Sequence, residues 1–472
     1  GARVFAQDAI TIRAETDRDF DTRSFSGDIG ASSVSAIVAV TLIGSEPGET
    51  RDAATTRAVL TGLAGDDPST TRPDEEADPE ALAAGTGDDA AVVAARSATE
   101  TSAQRAATRL VDTTETRSVV DTTSATVSKQ ALVQTEGVLN LEATDATRVE
   151  TRAGGFNATL LQAAQAGFAR SRVGSNVTAL IRPGAQIAAG DALGVVARGG
   201  NDTRAGRVNA RAGVASLNAG IAARGAVADS RVDRSIQAAI SDGSTFVRQA
   251  VGDPDITIAA SAAQPVTAET SGFGAGLVGS VSGSDAQARD TSPVQAQLGA
   301  PGGSTALFAG RTDVSAALSG DMTATATSTN VQLAAAADVT RARAVENTLV
   351  TARADADLTA QGPVTIAART TRDVRGTATG TTIGALIGSG VISETTVTRN
   401  VTAAADATAI QAGQMVLTAE SGRDDADAAA RDELVASATA SAGGALGGVG
   451  ARATLVLGGT VGTLLATPDL DT

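Results

Sequence analysis

A short phrase in which aliphatic side chains alternate with small or polar ones recurs along the chain and commits it to stacked strands. It reads Ala9-Ile10-Thr11-Ile12-Arg13-Ala14, Val138-Leu139-Asn140-Leu141-Glu142-Ala143, Ala192-Leu193-Gly194-Val195-Val196-Ala197, Asp255-Ile256-Thr257-Ile258-Ala259-Ala260, Pro363-Val364-Thr365-Ile366-Ala367-Ala368 and Met415-Val416-Leu417-Thr418-Ala419. This is the period-two pattern of a pleated segment with one buried face. Thr305-Ala306-Leu307-Phe308-Ala309 reads as a looser copy. With Leu141, Val196, Ile258, Leu307, Ile366 and Leu417 as markers, the steps are 55, 62, 49, 59 and 51 residues. From Ile12 to Leu141 is 129 residues, two such units plus an insertion. Self-similarity at a nearly fixed period is the signature of repeat architectures.

Composition explains why the units must stack. The 472 residues include 8 Phe, no Trp and no Tyr, so aromatics make up 2% of the chain. They cannot anchor an ordinary globular core, in which each aromatic buries on the order of 150–250 Å². Yet 42% of residues are hydrophobic and the mean hydropathy is +0.05, too apolar for a disordered polar chain. A solenoid resolves the conflict, since each coil needs only a few short inward side chains and its neighbour covers them. Glycine-rich runs follow the strand phrase: Gly30, Gly155, Gly213, Gly274 and Gly384 lie 14 to 18 residues past the markers, and Gly444 lies 27 past. They suit tight corners. Thr323–Thr327 and Thr395–Ala403 alternate as further strands. The expected fold is an all-β, elongated right-handed parallel β-helix of imperfect 50–60-residue units. If a coil takes roughly 20–25 residues, each unit holds two or three coils and the rod is on the order of 100 Å long.

Three regions follow: coils over 1–64, an acidic proline-containing insertion with a weakly patterned segment over 65–130, and coils over 131–472. The stretch Gly65–Asp89 carries three prolines and nine acids against one arginine, and reads as a protruding loop. Calcium is its sharper reading, but neither EF-hand spacing nor the Gly-Gly-x-Gly-x-Asp nonapeptide is present. A helix near Asp88–Arg109 is the alternative to poorly patterned coils there.

The missing residue types remove much chemistry. With no His and no Cys, there is no Ser-His-Asp or Cys-His triad, no zinc site of the usual kind and no disulfide framework. A balance of 37 basic against 53 acidic residues, net −16, disfavours nucleic acid. Ala442–Ala466 carries only Arg452 as a charge, but its eight glycines argue against a spanning helix. Asp424, Asp425 and Asp427 could pair for glycoside chemistry, yet no aromatic sugar platform accompanies them. The threonine rows evoke ice binding, but they do not recur at one coil position. Sequons at Asn157, Asn176, Asn201 and Asn400 are what chance gives in a threonine-rich chain. No catalytic, cofactor-binding or metal-binding residue is assigned, no cofactor is expected, and the chain is expected not to be an enzyme.

The strand phrase, a polar run and then a run such as Gly384-Ala385-Leu386-Ile387-Gly388 or Gly443-Gly444-Ala445-Leu446-Gly447-Gly448 together resemble the repeat region of large bacterial surface adhesins of the leukotoxin and filamentous-haemagglutinin types. The likeness covers most of the chain outside about 45–130 and rests on rhythm, with no fixed residues. It implies an extracellular, cell-surface parallel β-helix that adheres to surfaces, extracellular matrix or sister fibres, with no membrane span. The chain opens Gly1-Ala2-Arg3, which reads as an excised piece, and is already repeat-like at Ala9. Uncapped coil edges of this kind give the expectation of self-association with copies of itself, end to end or laterally. The competing expectation is a monomeric adhesin or passenger domain binding a surface ligand.

Overall fold

The computed structural model describes residues 2–44, 121–200, 206–246, 253–300, 306–407, 409–422, 432–466 and 469–471. Among these the chain is all β, without helix, and its strands pair in parallel. A single unit of the repeat is a single coil. Coil six shows the pattern: a short strand Asp357–Ala360, a middle strand Pro363–Thr371, an outgoing arm Val374–Ile383 and a return strand Leu386–Ala405. Each of the four pairs in register with its equivalents in the coils before and after.

Seven middle strands form one sheet: Ala9–Thr16, Val138–Asp145, Ala192–Gly199, Asp255–Ala263, Thr312–Ser319, Pro363–Thr371 and Gln414–Ser421. They number the seven coils. Register places Leu141, Val195, Ile258, Val314, Ile366 and Leu417 in one column, at steps of 54, 63, 56, 52 and 51 residues. Like shapes therefore stack on like, and alternate residues turn inward. Two sequence markers shift. Val195 faces the core where Val196 was expected, and Leu307 belongs to the short face, opposite Leu358, while Val314 holds the middle-strand position. A unit of 50–60 residues per turn also replaces the thin coils of 20–25. Seven strands at about 4.8 Å spacing stack to only about 30 Å, whereas a 20-residue return strand alone extends about 65 Å.

The length of the return strand divides the cross-section in two. Its last third joins the short and middle strands around an aliphatic core, to which one coil contributes Val350, Ala352 and Ala354 and the next Leu358, Val364 and Ile366. Its first part folds back over the outgoing arm. Among the described residues the two arms share no backbone ladder; each pairs with neighbouring coils, and their inward side chains, such as Val374 and Ala378 against Val391 and Val397, form a second core. This is a strand-turn-strand arch whose two sheets face one another. Most of the glycine-rich runs reach its tip, as at Gly384 and Gly444, whereas Gly154 and Gly155 lie on the outgoing arm. Threonine rows do align on the outgoing arm: Thr325, Thr377 and Ser437 form one column, and Thr327, Thr379 and Thr439 another, over the last three coils.

Coil one accommodates the insertion at one gap in its return strand. Ile43 pairs with Val173 and Asp121 pairs with Ser175, so the chain leaves the ladder and rejoins it at almost the same place. Pairing resumes at Asp121–Val127. The acidic stretch 65–89 and the helix expected near Asp88–Arg109 lie outside the described residues.

The columns set an expectation for stability. Ile366→Ala opens a cavity inside the stacked core and should cost about 2–5 kcal/mol. Thr365→Ala, one residue along and facing outward, should stay within about 0.5 kcal/mol. The midpoint of urea unfolding of the two variants checks the inward parity directly.

Candidate interaction surface

Charge in this fold is sorted by position. At the waist, where arch meets aliphatic core, alternation in the return strand points polar side chains inward. Arg234 is fully buried, with Nε 3.8 Å from Asp145 and Nη2 donating to the Thr147 carbonyl at 2.7 Å. Asp145 also accepts from the Thr147 amide at 3.0 Å and the Ser175 hydroxyl at 2.7 Å. Gly206 makes room for it: a Cβ there would lie 2.0 Å from Arg234 Nη1. Higher in the stack, Arg372 reaches Asp290 at 2.5 Å, and Gln264 donates to the same carboxylate at 2.7 Å. Arg399 bonds Glu346 at 2.9 Å, donates to the Arg372 carbonyl at 2.7 Å and pairs with Asp432. The groups form an internal polar column linking successive coils.

A second polar cluster lies inside the arch. Arg224 donates to Ser280 and Asn330, each at 3.0 Å, and burial pulls its guanidinium down to about 10. It lies over Gly274, where a Cβ would fall 1.0 Å from Nη1. Asp338 accepts from Ser282 at 2.6 Å, Ser328 at 2.5 Å and Thr340 at 3.0 Å. Burial nevertheless raises its carboxyl above the ordinary aspartate range. Asp145 goes the other way: burial acts to raise it, but Arg234 and the hydrogen bonds of Thr147 and Ser175 outweigh that and hold it low.

Outside, ion pairs cross from coil to coil partway down the arms. Arg170 meets Asp229 at 2.9 Å and Arg343 meets Glu394 at 2.6 Å on the return face, while Arg211 meets Glu269 at 3.0 Å on the outgoing face. Exposed pairs of this kind are each worth at most about 1 kcal/mol. Their importance is as a boundary. Between Arg152 and Arg170, between Glu269 and Asp285, between Arg375 and Glu394, and between Glu433 and Arg452, the sequence carries no charge, and between Arg211 and Asp229 only buried Arg224 interrupts. Each of these intervals spans an arch tip.

The tips line up as an exposed apolar crest. Ile29, Leu160, Leu217, Leu277, Leu333, Leu386 and Leu446 come one from each coil, with exposures reaching 85% at Ile29 and 73% at Leu333. Contiguous apolar surface of this kind marks an interaction site. Backbone polarity is largely removed from it. Ala219 donates to the Thr159 carbonyl, Leu277 to Asn218, Leu333 to Gly276, Ala385 to Leu333 and Leu446 to Ala385, at 2.9–3.3 Å. The glycine-rich apolar runs of these tips, Leu386 and Leu446 among them, were legible in the sequence, but their gathering into one exposed ridge was not; its signal was the lack of charge around each run.

Other sequence candidates fall as follows. The Ala442–Ala466 run is the tip and return strand of coil seven, paired along its length with coil six. No helix among the described residues is long and apolar enough to cross a membrane. Asn157 is buried and bonded to Ser33, while Asn176 is exposed and Asn400 accepts from Thr460 at 3.1 Å. Asn201, Asp424, Asp425 and Asp427 lie outside the described residues. Among the described residues no group of three carboxylates is placed to hold a metal ion. No family model, curated protein or solved structure matches the chain.

The two buried aspartates predict opposite responses. Asp145 titrates lower folded than unfolded, so its stabilisation is present above about pH 4 and fades as acid is added. Asp145→Asn should therefore lower the urea midpoint at pH 7, a loss of about 3–5 kcal/mol of unfolding free energy, because Arg234 loses its partner in the interior. Asp338 titrates higher folded, so its ionisation is a cost once pH rises past the ordinary aspartate range. Asp338→Asn should raise the midpoint at pH 7 and converge with the parent protein in acid.

Proposed function

We propose that the chain is a non-enzymatic structural segment of a bacterial surface filament or fibrous adhesin, working outside the cell. The observation that carries this reading is where the chain spends its titratable groups. Arg234, Arg372, Arg399 and their carboxylates are sealed into a column that ties coil to coil, which serves a load-bearing scaffold and offers nothing to a soluble substrate. The rhythm shared with large surface adhesins points the same way. Adhesion would then be a property of extended surface presented by stacked coils.

Self-association follows from the ladder. Among the described residues, coil one pairs through Ala9–Thr16 with coil two only, and coil seven pairs through Gln414–Ser421 with coil six only. Both edges present parallel strands, the geometry a further coil of the same kind would occupy. Where that coil comes from a second copy, the purified chain forms fibres. Negative-stain images should then show filaments with an axial repeat of about 30–35 Å, seven strands at about 4.8 Å. Isolated particles at high concentration would remove self-association and leave the monomeric adhesin. Loss of adhesion to surfaces by cells displaying the chain, relative to cells without it, would remove both.

A further inference from the structure

The crest of the arches has a use that the scaffold does not require. We infer that it inserts into the apolar boundary of a lipid bilayer, so that the coils bind a lipid surface edge-on without spanning it. Four observations fit together. The arch tips are free of ionisable side chains from one ion-paired rim to the other, apart from Asp28 in coil one and the buried Arg224 and Asp338 inside the arch. Their large exposed residues are aliphatic and come from every coil, with Leu161, Val278 and Ile383 beside Leu160, Leu277 and Leu386. Amides at the turns donate to carbonyls of the adjacent tip, so moving the crest out of water does not strip those donors of partners. Several polar side chains near the tips point into the arch, where Arg224, Ser280 and Asn330 bond one another, although Gln162 and Ser32 are exposed.

Shape decides the partner. A ridge about 30 Å long and about 10 Å thick, the spacing of two packed sheets, offers about 300 Å² to a rigid partner. A stable protein interface needs about 800 Å² per side. Two crests meeting each other would fall short. A bilayer is soft, closes around a ridge and covers its flanks as well as its top, so the area limit does not apply. The crest leucines need reach only the headgroup and acyl boundary, about 5–10 Å deep. The paired charges on the arms then remain in water.

The inference is independent of whether the chain forms fibres, and it is tested on the whole chain. Phosphatidylcholine vesicles should carry the protein upward in a flotation gradient, equally at 0.1 and 0.5 M NaCl, because the contact is uncharged. Replacing Leu160→Ser, Leu277→Ser and Leu333→Ser together should reduce vesicle binding at least tenfold with an unchanged circular dichroism spectrum. The sequence has no tryptophan, so Leu333→Trp is a single reporter. Its emission should shift to the blue on addition of vesicles and be quenched by brominated lipid, while Thr257→Trp, exposed on the middle-strand face, should show neither effect. Failure of the parent chain to float would overturn the inference. So would equal flotation of the triple variant, binding confined to anionic vesicles and abolished by salt, or a triple variant that changes only the oligomeric state in light scattering.

Discussion

Everything in this molecule depends on the parallel pairing of each coil with the next. A parallel ladder satisfies the backbone of a strand only through its neighbours, so every coil is completed by the coil above and the coil below. In-register stacking then places residue on equivalent residue, and the interior becomes a set of columns. The column Leu141, Val195, Ile258, Val314, Ile366 and Leu417 shows what this demands. Each member needs to be aliphatic and of middling size, and no member needs to be aromatic. A chain with 8 Phe and no Trp or Tyr can therefore hold a dry interior of considerable extent.

The same pairing makes room for buried charge. A charged group in an ordinary core has few partners, and its desolvation is costly. In a stack, partners can arrive from other coils. Arg234 is served by Asp145 and Thr147 from the preceding coil, and Arg372 by Asp290 and Gln264. The columns at the waist separate the prism-like aliphatic core from the arch, keeping two apolar layers distinct where the return strand passes between them. Glycine at Gly206 and Gly274 is part of this arrangement, since any side chain there would displace a guanidinium.

Strand phrases and glycine runs were legible in the sequence, and they correspond to middle strands and arch tips. The size of a coil was not. Alternation shows that a segment is pleated, but says nothing of whether two successive strands hydrogen-bond or face each other across side chains. The arch depends on that choice, and it converts what looked like two or three thin coils into one broad coil. Leu307 misled for a related reason: Ala306–Ala309 has the same alternation as a middle strand but belongs to the short face. The crest was half visible. Its glycines mark the turns, whereas the merging of Ile29 and six leucines from seven separate tips into one ridge requires the register between coils.

By itself the sequence determined strand over helix, the 50–60-residue rhythm and the absence of histidine and cysteine chemistry, because alternation and composition are local properties. Tertiary structure alone decided which inward residues share a core, which arginines are buried and where the charge-free surface gathers. Those are relations between residues that face each other across an arch or lie about one coil apart along the ladder, and only the folded stack brings them together.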